Sequence, residues 1–179
     1  MSNFPVTVER ADIPDAAELG EVAAATFPLA CPPESTPADI AAFIEQWLSA
    51  ERFREYLKDP ARIVLRAVSD GDIVGYALLN AGEPADPDVA AVIETRPVTE
   101  LSKMYVLPGH HGNGVAAALM TAALEAARAE GSAAVWLGVN QQNARAQRFY
   151  GKHGFVIAGT KTFLVGSQRH HDYVMQRSF

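Results

Sequence analysis

Cysteine is almost missing from this chain: Cys31 is the single one among 179 residues. A lone thiol closes no internal disulfide, which excludes a disulfide-stapled scaffold and fits a reducing compartment. Cys31 stands before two prolines with no basic neighbour in sequence to lower its pKa, so an ordinary free thiol is expected. Positive charge is also short. Fifteen Lys and Arg face 21 Asp and Glu, for a net charge of −6. Such a surface does not attract the phosphates of DNA or RNA, so no nucleic-acid partner is expected, whereas a cationic substrate is tolerated. No stretch approaches the ~18 apolar residues of a membrane helix. Met1 to Arg10 has no basic segment leading into an apolar run, so no leader peptide is expected. The expectation is a soluble, cytoplasmic protein without a membrane partner. Repeats and low-complexity tracts are absent as well.

What is present is a core. Hydrophobic residues make up 49% of the chain and charged ones 20%, a balance that folds. The length suits a single domain spanning residues 1–179. Val6–Glu9 reads as a strand and Ala16–Thr26 as a helix introduced by Asp12, Pro14 and Asp15. Pro28–Pro37 reads as a loop. Ala38–Lys58 reads as helix, divisible into two pieces, with Ile40, Phe43, Ile44 and Trp47 on one stripe. Arg62–Val68 and Ile73–Leu79 form a hairpin about the Asp70-Gly71 turn. Ala81–Pro97 is a long acidic connection, expected to be a mobile loop near the site.

Beyond it come a strand over Val98–Leu107, a helix over Gly114–Glu130 stopped by Gly131, and a strand over Ala133–Val139. Asn143–His153 is a helix ended by Gly154, and strand material follows at Phe155–Gly159, Thr162–Val165 and Tyr173–Gln176. On the Gly114–Glu130 helix, Val115, Leu119, Ala122 and Ala126 are expected to form the apolar stripe. This order implies a mixed α/β domain with a largely antiparallel sheet and one parallel crossover.

The run His111-Gly112-Asn113-Gly114-Val115-Ala116 lies between a strand and a helix. The first N–H groups of a helix have no partner within it, and its dipole favours negative charge there. Glycines let the backbone approach phosphate oxygens closely. Gly112, Gly114 and Ala117 nominally meet the G-x-G-x-x-G/A pattern of dinucleotide-binding folds. That pattern also needs an acid about 20 residues on, at the end of the next strand. Here that strand closes Gly138-Val139-Asn140, and too little chain remains for a doubly wound sheet.

A second pattern reaches further. Val106-Leu107-Pro108 precede the turn, and Asn143, Ala146, Phe149-Tyr150 and Gly154-Phe155 follow it. Together they resemble the GNAT superfamily of N-acetyltransferases. That superfamily's coenzyme motif is Gln/Arg-x-x-Gly-x-Gly/Ala after a strand ending Val-x-Pro. Its next motif runs Asn, a small residue three positions on, Phe-Tyr and Gly-Phe. The resemblance covers about Ile63 to Met175, and the strand Glu100–Val106 looks most like bacterial polyamine N-acetyltransferases and their relatives. It implies the GNAT fold, α/β (α+β), with a mixed, mostly antiparallel sheet of about six to seven strands and helices on both faces. It also implies acetyl-CoA as cosubstrate, and transfer of acetyl to a primary amine by direct attack on the thioester. A polyamine-like small cation is the favoured acceptor. A protein N-terminus, a lysine side chain, or a non-catalytic acetyl-CoA-binding module of the same fold are the alternatives, and a homodimer is compatible with the family.

The resemblance assigns roles residue by residue. Met104, Tyr105 and Val106 would pair with the pantetheine arm as if it were another strand. His111, Gly112, Asn113, Gly114, Val115 and Ala116 would cradle the pyrophosphate. Asn143 would hydrogen-bond the coenzyme while also serving as a helix N-cap. Tyr150 matches the family's general acid, and Glu100 is the candidate base. His111 departs from the family's Gln or Arg, offering one donor where a guanidinium offers five. It either reaches a phosphate, gaining charge when protonated, or faces solvent and leaves only its N–H. Arg148 and Lys152 read as solvated cations within reach of phosphates. His110-His111 and His170-His171 lack partners at ligand spacing, so no metal is expected. Glu83, Asp86, Asp88 and Glu94 in the acidic connection would draw a cationic acceptor.

Overall fold

A computed structural model describes residues 5–111 and 114–179. Gly112 and Asn113 therefore lie outside the described residues. The chain opens with β1 (Thr7–Arg10) and a 3-10 turn at Ile13–Asp15, where Asp12 and Asp15 cap one another's backbone. Three helices follow, α1 (Ala16–Ala30), α2 (Pro37–Trp47) and α3 (Ala50–Lys58). The Ala38–Lys58 helix is thus two pieces. Ser49 divides them because its hydroxyl accepts the Arg52 N–H at 3.1 Å and starts a new helix.

The strands β2 (Arg62–Ser69) and β3 (Asp72–Ala81) form the expected hairpin. Asp70 and Gly71 both take positive φ, 53° and 79°, as a tight two-residue turn requires. Then come α4 (Pro87–Val92), β4 (Val98–Val106), α5 (Val115–Ala129), β5 (Ala134–Asn140), α6 (Ala144–Lys152), β6 (Val156–Val165) and β7 (Gln168–Ser178). The seven strands make one sheet in the order β1-β2-β3-β4-β5-β7-β6. Among the described pairings only β4 with β5 is parallel. Helices α5 and α6 cover one face, against Ile63, Leu65, Val135 and Leu137. Helices α1–α3 cover the other, against Val64, Tyr76 and Leu78.

Four expectations are corrected. Helix α1 runs through Pro28 to Ala30, where a loop was expected from Pro28. A proline near a helix end removes little of the ladder, and Phe27 stacks on Phe43 of α2 with ring centroids 4.5 Å apart, which holds the last turn. The Ala81–Pro97 connection carries α4, anchored by fully buried Val89 and Ile93 against Val98, Trp136 and Val174. Its cue was the Asp86-Pro87 start, with Asp86 accepting the Asp88 N–H at 2.9 Å. On α5 the buried face centres on Leu119, Met120, Ala123, Leu124 and Ala127, while Ala122 and Ala126 are only half-buried. Alanines on every side carry little face information, so the bulk of Met120 and Leu124 decides. Finally, Phe155–Gly159 and Thr162–Val165 belong to one strand, β6, whose register shifts between Ile157 and Gly159.

Candidate active site

The sheet is open at its centre. Strands β4 and β5 pair only over Val98–Glu100 with Ala134–Trp136. From there β5 stays with β7 as far as Asn140, and β4 stays with β3 as far as Val106. The two strands diverge, and the β5-facing edge of β4 from Leu101 to Val106 has no strand partner. Unpaired backbone groups at such a depth need a partner. An extended ligand chain bearing amide groups fits that edge.

A bulge shapes the same strand. Lys103 pairs with Leu78 and Leu101 with Leu79, so Ser102 is an extra residue on β4. A bulge re-aims side chains by breaking the strict alternation. Leu101, Met104 and Val106 pack toward α5. Glu100, Ser102, Lys103 and Tyr105 line cavities on the opposite side.

Three cavities meet at the opening. The first, about 490 Å³, is lined by Met104, Tyr105, Val106, His111, Gly114, Ala116, Asn143 and Tyr150. It ends at the N-terminus of α5, where Gly114 adopts φ 78° and frees the first N–H groups of the helix to point outward. The central one, about 140 Å³, lies between the diverging strands and holds Tyr150, Asn143, Tyr105, Glu100, Lys103 and Asp172. The third, about 740 Å³, opens among α2, β4 and β6 and includes Phe43, Trp47, Glu100, Lys103, Lys161 and Phe163. Asn143 and Tyr150 border the first and the central cavity; Glu100, Ser102, Lys103 and Lys161 border the central and the third.

Most of the residues expected from sequence thus converge. Val115 is the exception: the whole residue is 1% exposed and packs in the core, and it lines none of the three cavities. Asn143 is the N-cap of α6, its Oδ1 accepting the Ala146 N–H at 3.0 Å. The His111 imidazole turns back on its own strand, with Nε2 2.9 Å from the Val106 carbonyl. The residue as a whole remains exposed. It ties the turn to the end of β4.

Burial pushes the Tyr150 hydroxyl up to about 12, and it raises Tyr105 as well. Tyr150 therefore keeps its proton at neutral pH, as a proton donor must. Glu100 Oε1 accepts from Asn80 Nδ2 at 3.1 Å. Cys31 borders the central cavity, but its Sγ donates to the Phe27 carbonyl at 3.3 Å and burial raises the thiol to about 11. It is not an activated nucleophile.

A cluster of charged residues escaped the sequence reading. Lys161 Nζ lies 3.6 Å from Asp172 Oδ2, both side chains nearly buried. Gly138 leaves the space for this pair, since a Cβ there would sit 2.6 Å from Lys161 Cε. Lys103 extends over Phe43 and Phe163, 5.6 and 5.5 Å from their centroids. Burial lowers its pKa and Glu100 opposes that shift. A lysine inside an otherwise apolar strand was the available signal for Lys103. Asp172 and Lys161 had none, because only the β6–β7 pairing brings them together.

A sheet split beside a helix N-terminus, with a protonated tyrosine at the fork, offers an unpaired strand edge and the N-terminus of α5 in one place. The acetyltransferase (GNAT) family pattern matches residues 24–155. An uncharacterized N-acetyltransferase of Mycobacterium tuberculosis is 54% identical over 163 residues, covering 91% of this chain and 97% of the relative. The streptothricin acetyltransferase of Streptomyces lavendulae is 29% identical over 104 residues, 58% of this chain and 49% of that protein. The fold is that of the PaiA N-acetyltransferase of Thermoplasma acidophilum solved with coenzyme A, at TM-score 0.77 and 18% identity over 98% of this chain and 100% of that one. The chain belongs to the GNAT acetyltransferase family. It is an N-acetyltransferase that uses acetyl-CoA. Among the described residues no helix is long and apolar enough to cross a membrane, and no group of three or more His, Cys, Asp or Glu could hold a metal.

Proposed function

We propose that this enzyme acetylates a small primary amine in the central cavity, with Glu100 as base and Tyr150 as acid. The observation that carries the reading is the shared cavity: Tyr150 enters it from the coenzyme side and Glu100 from the opposite side. In this reading the β4 edge at Met104, Tyr105 and Val106 receives the pantetheine arm. Gly114 and Ala116 face the pyrophosphate, with His111 bracing the turn. The acceptor ammonium gives one proton to Glu100. Its nitrogen then forms the bond to the acetyl carbon as the C–S bond breaks, Tyr150 protonates the departing thiolate, and the second proton lost by the nitrogen passes through solvent to restore the Tyr150 hydroxyl. An alkyl ammonium is otherwise protonated at neutral pH, with a pKa of about 10.4, so a base within reach is needed.

A polyamine acceptor has Asp86 and Glu100 in its favour, since both line the third cavity. The other acids of the connection lend less. Glu83, for instance, holds Arg96 Nε at 2.9 Å outside the cavity. The test is release of free thiol from acetyl-CoA over a panel holding spermidine, streptothricin, amino acids and a lysine peptide. Glu100→Gln is expected to lower kcat by roughly 10²-fold on whichever amine is used, with acetyl-CoA affinity unchanged. An undiminished kcat would remove Glu100 as the base.

A further inference from the structure

The charged groups around the throat between the central and third cavities differ in one respect. Nearly all have a protein partner. Arg62 reaches Asp59 at 3.2 Å and Asn80 at 3.0 Å, and lies over the Tyr56 ring. Lys161 has Asp172. Asp86 caps α4. Glu100 and Lys103 stand apart. Among the described residues no cation lies within ion-pair distance of the Glu100 carboxylate, whose one hydrogen bond comes from the neutral amide of Asn80. Lys103 meets no carboxylate at that distance and donates only to the Ser102 carbonyl, at 3.3 Å. The two are not paired with each other, although the Ser102 bulge turns both to one side of β4.

A half-buried charge that touches no counter-charge is poorly satisfied, and here one of each sign, acting on the other only at a distance, faces the same opening. A ligand that carries both signs a few bonds apart satisfies both at once. A polycation satisfies Glu100 and is repelled by Lys103. Beyond the throat the wall turns apolar: Phe43, Leu48 and Phe163, with Trp47 and Leu164 at the mouth still 40% and 55% exposed.

We infer that the acceptor is a zwitterionic amine, an α-amino acid or close analogue with a large apolar side chain, its carboxylate held by Lys103 and its ammonium by Glu100. The inference rests on the acceptor site proposed above. Lys103 then acts as a specificity-determining residue, and its two flanking aromatic rings keep the ammonium aimed into the throat.

The unaltered enzyme is assayed for thiol release with L-phenylalanine, with phenethylamine (the same amine without the carboxylate) and with spermidine. Phenylalanine is expected to lead in kcat/KM by at least about tenfold, the scale of one charge-assisted hydrogen bond. Lys103→Met should raise the KM for phenylalanine by a similar factor and leave that for phenethylamine no higher than before. Lys103→Arg should recover part of the loss, and thermal melts report whether each variant folds. Equal or better use of phenethylamine or spermidine would overturn the inference while leaving amine acetylation at this site intact. No turnover of any amine, with acetyl-CoA still bound, would overturn both.

Discussion

Burial decides what Tyr150 can do. Its ring packs edge-on against Phe149 and Phe155, with centroids 5.6 and 6.0 Å away, and its hydroxyl is raised to about 12. A group held in its neutral form by the fold contributes stability that is complete below the unfolded pKa, near 10, and is lost as pH climbs through the folded value. Tyr150 should therefore stay a proton donor throughout pH 6 to 10. A fall in kcat below pH 10 that disappears in Tyr150→Phe would contradict this. Tyr150→Phe itself should lower kcat by roughly 10²–10³-fold with little change in acetyl-CoA affinity, measured by steady-state kinetics beside equilibrium binding. The placement of Tyr150 and Asn143 at one helix was legible in sequence because their spacing there is fixed. Lys103 was less so. Its identity was in view, but its lack of a directly contacting carboxylate depends on what β6, β7 and α2 bring near it.

At the scale of elements, β4 does the positioning, and its neighbours hold it in place. Gly75 of β3 is a tight point against the backbone of β4. A Cβ there would lie 2.9 Å from the Tyr105 carbonyl oxygen and 3.3 Å from Val106 Cγ2. Backbone cannot yield as a side-chain tip does. Gly75→Ala should push β4 toward the coenzyme cavity and cost about 1–3 kcal/mol of stability. Acetyl-CoA affinity should drop although Gly75 touches no ligand, and calorimetric binding beside thermal melting checks both. A variant with normal affinity and a lowered melting point would mean that β4 takes up the strain without moving its free edge. The strand itself, the Asp70-Gly71 hairpin and the helices with Gly131 and Gly154 at their ends were readable from local chemistry, since each carries its own start or stop residue. Elements held by distant packing were not. Helix α1 extends past Pro28 because of a stack with Phe43, and α4 is fixed by Trp136 and Val174. The Ser102 bulge leaves no local signature, yet it gives the site two consecutive side chains from one strand.

At the scale of the whole molecule, the sheet is a wall with a gap, and under the proposed function the two substrates approach that gap from different sides, the coenzyme past α5 and α6 and the acceptor past α2 and β6. Between the two outer cavities lies a central space of about 140 Å³ that shares lining residues with both. Neither substrate has to leave for the other to enter. A covalent relay would need a nucleophile at the junction. The sole thiol, Cys31, is raised to about 11 and bound to the Phe27 carbonyl, which leaves roughly a hundredfold less thiolate than a free cysteine of pKa near 9 has at the same pH. The enzyme should therefore form a ternary complex. Initial rates at several fixed acetyl-CoA concentrations should give intersecting double-reciprocal lines against amine. Acetyl-CoA alone should add no 42-dalton acetyl mass to the protein, a value of about one acetyl group set by the chemistry of transfer. Parallel lines together with an acetylated Cys31 would mean that the two cavities are used in turn, and that the gap serves as a switch between half-reactions instead of a meeting place.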